Sequence, residues 1–129
     1  MPERSADWMA QAKRDLSASA SLGANGYYEW ACFVAEQAAE KALKAVFQSM
    51  HGEVRGHNLS EMLPYLGVVP REIDRAARRL EKLYLNSRYP DNLPSGSPQD
   101  YFFQEDAEQA MADAGTIIEW CDGQIPRRQ

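Results

Sequence analysis

Apolar residues recur along the chain at spacings of three and four, and that period predicts helices. Apart from the short piece Gly67-Val68-Val69, no window alternates apolar and polar residues as a strand would. Trp8, Ala12, Leu16 and Ala20 mark one face of a first helix, which Ser5 is placed to cap and Gly23 with Asn25-Gly26 to end near Leu22. Tyr28 to about Met50 carries no Gly or Pro and reads as the strongest helix, with Gly52 just past its end. Its apolar side, Val34, Ala35, Ala38, Ala39, Ala42, Leu43, Ala45, Val46 and Met50, is wide and mostly Ala. Such a face suits a central helix approached closely from two sides. The remaining arc is Glu36, Gln37, Glu40, Lys41 and Lys44, with Glu40 and Lys44 at the favourable i, i+4 spacing.

Asn58-Leu59-Ser60-Glu61 has the form of a capping box opening a short helix that Gly67 ends. Pro70 then sits in the first turn of a further helix with Ile73, Ala77, Leu80 and Tyr84 inward and Arg71, Arg75, Arg78, Arg79 and Lys82 outward. Ser87 to Asp100, with its three prolines, reads as an irregular surface loop long enough to act as a flap. A last helix from Gln104 to about Cys121 has Ala107, Ala110, Met111, Ala114, Ile117, Ile118 and Cys121 as its inner stripe. The predicted fold is all-α, an up-and-down four-helix bundle with one additional short helix.

Composition narrows the class. A chain of 129 residues and 44% apolar content is one domain, 1–129, with enough core to fold without disulfides or a structural metal. The N-terminal residues lack an apolar leader and no run approaches a membrane span, so the expectation is a cytoplasmic protein. Cys32 and Cys121 lack metal-ligand or redox spacing and read as separate reduced thiols. Charge is uneven: residues 71–88 hold six basic and three acidic side chains, and residues 89–126 hold eight acidic and no basic ones. The basic strip invites a nucleic-acid reading, but Glu72, Asp74, Glu81 and the net charge of -5 favour a solvated or partner-facing surface.

Four pieces of sequence, FVAEQAAEKALKAVF in the second helix, Gly-His-Asn-Leu at 56–59, LEKLYLNSRYPD at 80–91 and DAEQAMADAGTIIEW in the last helix, together resemble the HEPN domain, named for higher eukaryotes and prokaryotes nucleotide-binding. The resemblance covers essentially the whole chain in order. It implies a four-helix bundle that forms homodimers and is encoded beside a minimal nucleotidyltransferase, in some cases as a toxin–antitoxin pair. Some members of that family are metal-independent ribonucleases, and others bind nucleotides without catalysis.

The nuclease members carry an Arg followed after four to six residues by a His. An imidazole moves the 2′-hydroxyl proton near neutral pH, and a guanidinium holds the charge growing on the phosphate. Here the only histidines are His51 and His57; Arg55 is too close to His57, and Arg4 and Arg14 are far upstream. The expected role is therefore a non-catalytic binding and assembly module, homodimeric, working with a nucleotidyltransferase and taking nucleotide or RNA, without cofactor or metal. The alternative is a ribonuclease with a non-standard set such as Arg55, His57 and Arg88.

Arg88, Tyr89 and Asp91 close a helix and open the long loop. A guanidinium fork can clamp a phosphate, a flat ring can stack on a base, and a carboxylate can take a ribose hydroxyl or pair with the arginine. Equally, Arg88 can tie the loop to the bundle with Tyr89 as a lid. His57 precedes a helix N-terminus and is the second candidate for an anion contact, or else a turn residue; His51 reads as a helix C-terminal cap. A 16-residue helix is about 24 Å long, so His57 and Arg88 share a site only if the short helix reverses the chain or two subunits combine. Phe33 and Phe47 fall near the polar side of the second helix and are candidate contacts for a second subunit or partner.

Overall fold

The computed structural model describes residues 3–50 and 58–126. Its helices are α1 (Ser5–Ala24), α2 (Tyr28–Met50), α3 (Leu59–Met62), α4 (Arg71–Glu81), α5 (Leu83–Asn86) and α6 (Gln104–Gln124), and no strand occurs among the described residues. The fold is the all-α bundle, with α1, α2, α4 and α6 as its four main helices.

Alanine places α2 at the centre. Ala31, Ala35, Ala38, Ala39, Ala42 and Ala45 are all fully buried, and side chains that small let neighbouring helices approach closely. α1 lies antiparallel to it: the Ser19 hydroxyl donates to the Ala31 carbonyl at 2.7 Å near one end, and the Lys44 ammonium stands 5.4 Å over the Trp8 ring near the other. Between them Lys41 pairs with Asp15. α6 packs on both, its last turns lying beside the first half of α1, where Lys13 meets Asp122 at 3.0 Å. α4 covers α6 and touches α2.

Several local expectations are corrected. Ser5 is the first residue of α1 rather than its cap; it is buried, and its N–H donates to the Glu3 carboxylate. The inner stripe of α1 passes through Met9, Ala12 and Ser19, leaving Ala20 exposed. The outer arc of α2 is not a solvated face, because the α3 and α4 side of the bundle covers it: Glu36 and Glu40 are buried. Phe47 is also buried, at 1% exposure, with Tyr65 packed against its ring at 6.1 Å between centroids. It is a core residue and has no free face for a partner.

The connection after α2 is organised by a tertiary contact. Asn58 does not cap α3 through its own side chain, which instead reaches Glu61 at 3.1 Å. Glu81, at the end of α4, accepts the Ser60 N–H at 3.1 Å and the Ser60 hydroxyl at 2.8 Å. A carboxylate from elsewhere in the chain thus satisfies a free amide of α3. A 3-10 turn, Leu63–Leu66, follows and ends at Gly67, whose φ of 90° is accessible without strain only to glycine.

The long loop is folded into turns rather than irregular. It contains 3-10 turns at Pro90–Asn92 and Pro98–Asp100, buries Ser87, Pro98 and Phe102, and is pinned by the Tyr101 hydroxyl donating to the Ser95 carbonyl at 2.7 Å. Asp106 accepts the Phe103 N–H at 2.8 Å and opens α6.

Candidate functional site

The site grows from one stripe of α2 and from the chain that leaves α4. Phe33, Glu36 and Glu40 recur at i, i+3 and i+7, one above another on the helix. α5 ends at Asn86, and the buried Ser87 bonds back to the Leu83 carbonyl at 2.6 Å. That turn delivers Arg88 to the stripe.

Arg88 is surrounded by rings. Its guanidinium carbon is 4.4 Å from the Phe33 centroid, 4.5 Å from Tyr84 and 4.8 Å from Tyr89. The negative faces of aromatic rings attract such a cation. Nε donates to the Tyr84 carbonyl at 3.3 Å, and no partner for the terminal nitrogens is among the described residues. Phe33 packs against Tyr84 at 6.1 Å and makes an edge-on contact with Trp30 at 6.1 Å. Trp30, Tyr84 and Tyr89 are 45%, 39% and 46% exposed. Tyr84 is therefore a rim residue, not the core residue its spacing suggested, because α4 stops before it and the chain turns outward. The product is an open aromatic surface with one permanent cation set in it.

Behind the cation lies a row of carboxylates. Glu36 is 2% exposed, and its only hydrogen-bond donor among the described residues is the Gln37 amide at 3.1 Å. Burial, and then repulsion from Glu40 and Glu81, push its carboxyl up to about 8, against the pull of Gln37 and of the Arg88 charge. Glu40 is paired with Lys44 at 3.3 Å. Glu81 is held by Ser60. The sequence pattern put Glu36 and Glu40 on a wet face; the only available hint to the contrary was the width of the apolar arc on α2.

The structure brings Tyr89 to Arg88, and Phe33 with it. Asp91 is not brought in: it stands exposed on the Pro90–Asn92 turn, with no ion pair to Arg88 among the described residues. His57, like His51 and Arg55, lies outside the described residues. The basic strip of α4 is partly consumed, since Arg78 pairs with Asp74 at 3.1 Å and Arg79 with Asp113 at 2.8 Å. No metal-holding group of His, Cys, Asp and Glu occurs among the described residues. Cys32 and Cys121 are free and buried, and burial pushes the Cys32 thiol up to about 12 and the Cys121 thiol upward as well. Neither has the thiolate character of a nucleophile at neutral pH. A separate groove of about 710 Å³ lies between the start of α1 and the end of α6, lined by Met9, Ala10, Lys13, Asp122 and Ile125 among others. It shares no residue with the Arg88 surface. No described helix is long and apolar enough to cross a membrane.

The same architecture recurs in known proteins over the full length of the fold. The profile of the HEPN domain matches residues 5–124, from the first residue of α1 to the last of α6. The chain belongs to the HEPN domain family. Among solved structures it is similar to an archaeal HEPN homologue, ST0689, with 40% identity and a TM-score of 0.84 over 97% of this chain and 100% of that one. TT1696 from Thermus thermophilus has 33% identity and a TM-score of 0.92, over 96% and 100% of the two chains. An HEPN domain protein from Thermotoga maritima has 36% identity and a TM-score of 0.73, over 91% and 95%. No curated protein matches the chain. The HEPN bundle thus accounts for all the described helices, and the Arg88 surface is built on α2 and on the segment that leaves α4.

Proposed function

We propose that this HEPN domain is a non-catalytic binding and assembly module, homodimeric, that holds a phosphate of a nucleotide or RNA at Arg88 and acts beside a minimal nucleotidyltransferase. The observation that carries the reading is the Arg88 guanidinium set among Phe33, Tyr84 and Tyr89 with its terminal N–H groups directed to no described partner. A planar cation supplies a fork for phosphate, and half-exposed tyrosines supply faces on which a base can stack. Trp30 and Phe33 extend the apolar surface along α2, and a contact of that kind suits a second copy of the chain. The nucleotidyltransferase follows from the family resemblance alone.

Titration calorimetry with ATP and with a short oligoadenylate tests the site. Binding by the wild-type protein, weakened at least about tenfold in Arg88→Ala as for the loss of a charge-assisted hydrogen bond, supports it; equal binding by both proteins sinks it. Sedimentation at micromolar concentration that shows only a 14.6 kDa species counts against the homodimer. Co-purification with a nucleotidyltransferase tests the partner. Incubation with RNA tests the alternative of a ribonuclease: cleavage abolished in His57→Ala or Arg88→Ala makes the protein an enzyme.

A further inference from the structure

Arg88 has a buried acid at its back. Phe33, on which the guanidinium stacks, and Glu36 are one turn apart on the same face of α2, and the charges of Arg88 and Glu36 interact. The other two carboxylates of the row are already satisfied. Glu40 has the Lys44 ammonium, and Glu81 has the N–H and hydroxyl of Ser60. Glu36 has only the neutral Gln37 amide among the described residues. When ionised, it is a buried anion with no ion pair among the described residues, and Arg88, stacked on Phe33 one turn away, is the cation that favours its charged form.

We propose that Glu36 is a proton-dependent counter-charge to Arg88: with Glu36 neutral the guanidinium is available to an incoming phosphate, and with Glu36 ionised the two side chains neutralise each other and the phosphate is released. The inference rests on Arg88 being the anion site. By linkage, proton uptake at Glu36 and anion binding at Arg88 then favour each other to the same extent.

The groups facing Glu36 set the direction. Glu40 from its own helix and Glu81 from α4 disfavour its ionisation, and Arg88 favours it. Ser60 on α3 faces Glu81 and adds no charge. A bound phosphate covers the Arg88 charge and adds negative charge of its own, so it drives the Glu36 proton on more firmly. Since burial pushes the Glu36 carboxyl up to about 8, affinity on this proposal is highest below that pH and falls as pH rises through it.

A four-nucleotide oligoadenylate is the probe, because its phosphodiester charge is constant between about pH 6.5 and 9.5, where Glu36 changes state. Calorimetry across that range at fixed ionic strength should show the wild-type Kd rising about tenfold, the effect of a one-unit shift in a linked pKa. Glu36→Gln, which mimics the protonated acid, should bind tightly with no such slope. A wild-type Kd that is flat with pH, or an equal slope in Glu36→Gln, overturns the counter-charge and leaves the Arg88 site standing. Absence of oligoadenylate binding at every pH removes the Arg88 reading and this inference with it. A second readout uses the wild-type protein alone: the carboxyl carbon resonance of Glu36 should titrate to a higher midpoint when oligoadenylate is saturating. An unmoved midpoint overturns the proposal.

Discussion

Arg79 holds Asp113 by two parallel hydrogen bonds, Nε to Oδ2 at 2.9 Å and Nη2 to Oδ1 at 2.8 Å. The pair joins α4 to the middle of α6. The two ends of the bond are unequal, since the Asp113 side chain is 5% exposed and that of Arg79 is 48% exposed. Gln109 adds a third donor to the carboxylate at 3.1 Å. Fork geometry makes this one of the stronger kinds of ion pair, and the buried partner makes it asymmetric.

Removal of the arginine should therefore matter more than its exposure suggests. Arg79→Ala leaves a buried carboxylate with Gln109 alone and should destabilise the bundle by about 1 to 3 kcal/mol, after allowance for solvent screening at the exposed arginine. In a thermal melt this is a fall of several degrees. Arg79→Ala, Asp113→Asn together should recover part of it, since the stranded charge is gone. An unchanged melting temperature in the single variant would show that the carboxylate finds water.

Glu81 should act as a latch for α3. A four-residue helix has no stability of its own, and Glu81 accepts from its Ser60 amide and hydroxyl. Glu81→Ala should speed hydrogen exchange at the Ser60 amide strongly and lower global stability by only about 1 to 2 kcal/mol. Exchange unchanged at Ser60 would assign the ordering of α3 to Leu59 and Met62, both buried.

The stability of the fold should depend on pH through Glu36. Its folded value of about 8 lies above the ordinary carboxyl value of 4.5, so between those values the folded state holds a proton that the unfolded chain has lost. Stability then falls as pH rises from about 4.5 to about 8 and levels off above that, the sign expected when the native state binds more protons. Glu36→Gln removes the slope. Chemical denaturation should find the variant more stable than the wild type by roughly 3 to 5 kcal/mol at about pH 9 and nearly equal to it at about pH 5. Equal pH profiles would show that Glu36 reaches water.

The two phenylalanines of α2 should separate cleanly. Phe47→Ala opens a cavity in the core and should destabilise by about 3 to 5 kcal/mol. Phe33→Ala removes one ring from Arg88 at the rim; it should weaken the fold by about 1 kcal/mol and show its larger effect in oligonucleotide binding or self-association. A comparable loss of stability in both would place Phe33 in the core as well.

Helical period, the Ala-rich run of α2 and the stops at Asn25-Gly26 and Gly67 are local signals, and they sufficed for the bundle, its helix order and most of its core. Four motifs in order were enough for the HEPN family, because together they sample every main helix except α1. Arg88 and Tyr89 were legible as a candidate anion site because a helix exit carrying a guanidinium and a ring has few apolar roles. What surrounds them was not legible. Phe33 and Tyr84 reach Arg88 from 55 and 4 positions away in the chain, and nothing in a periodicity states which ring meets which cation.

Burial of charge was the other quantity that the sequence by itself left open. Glu36 and Glu40 have the same pattern as a solvated helix face, and Phe47 falls near that face too. Only packing of the segment that includes α3 and α4 over α2 removes water from all three. Helix formation depends on neighbours within four residues, so composition and spacing determine it. The protonation of an acid, the cover on a ring and the partner of an amide depend on atoms that come from distant positions. Those are properties of the tertiary structure, and the Arg88 surface with its buried glutamate is made of them.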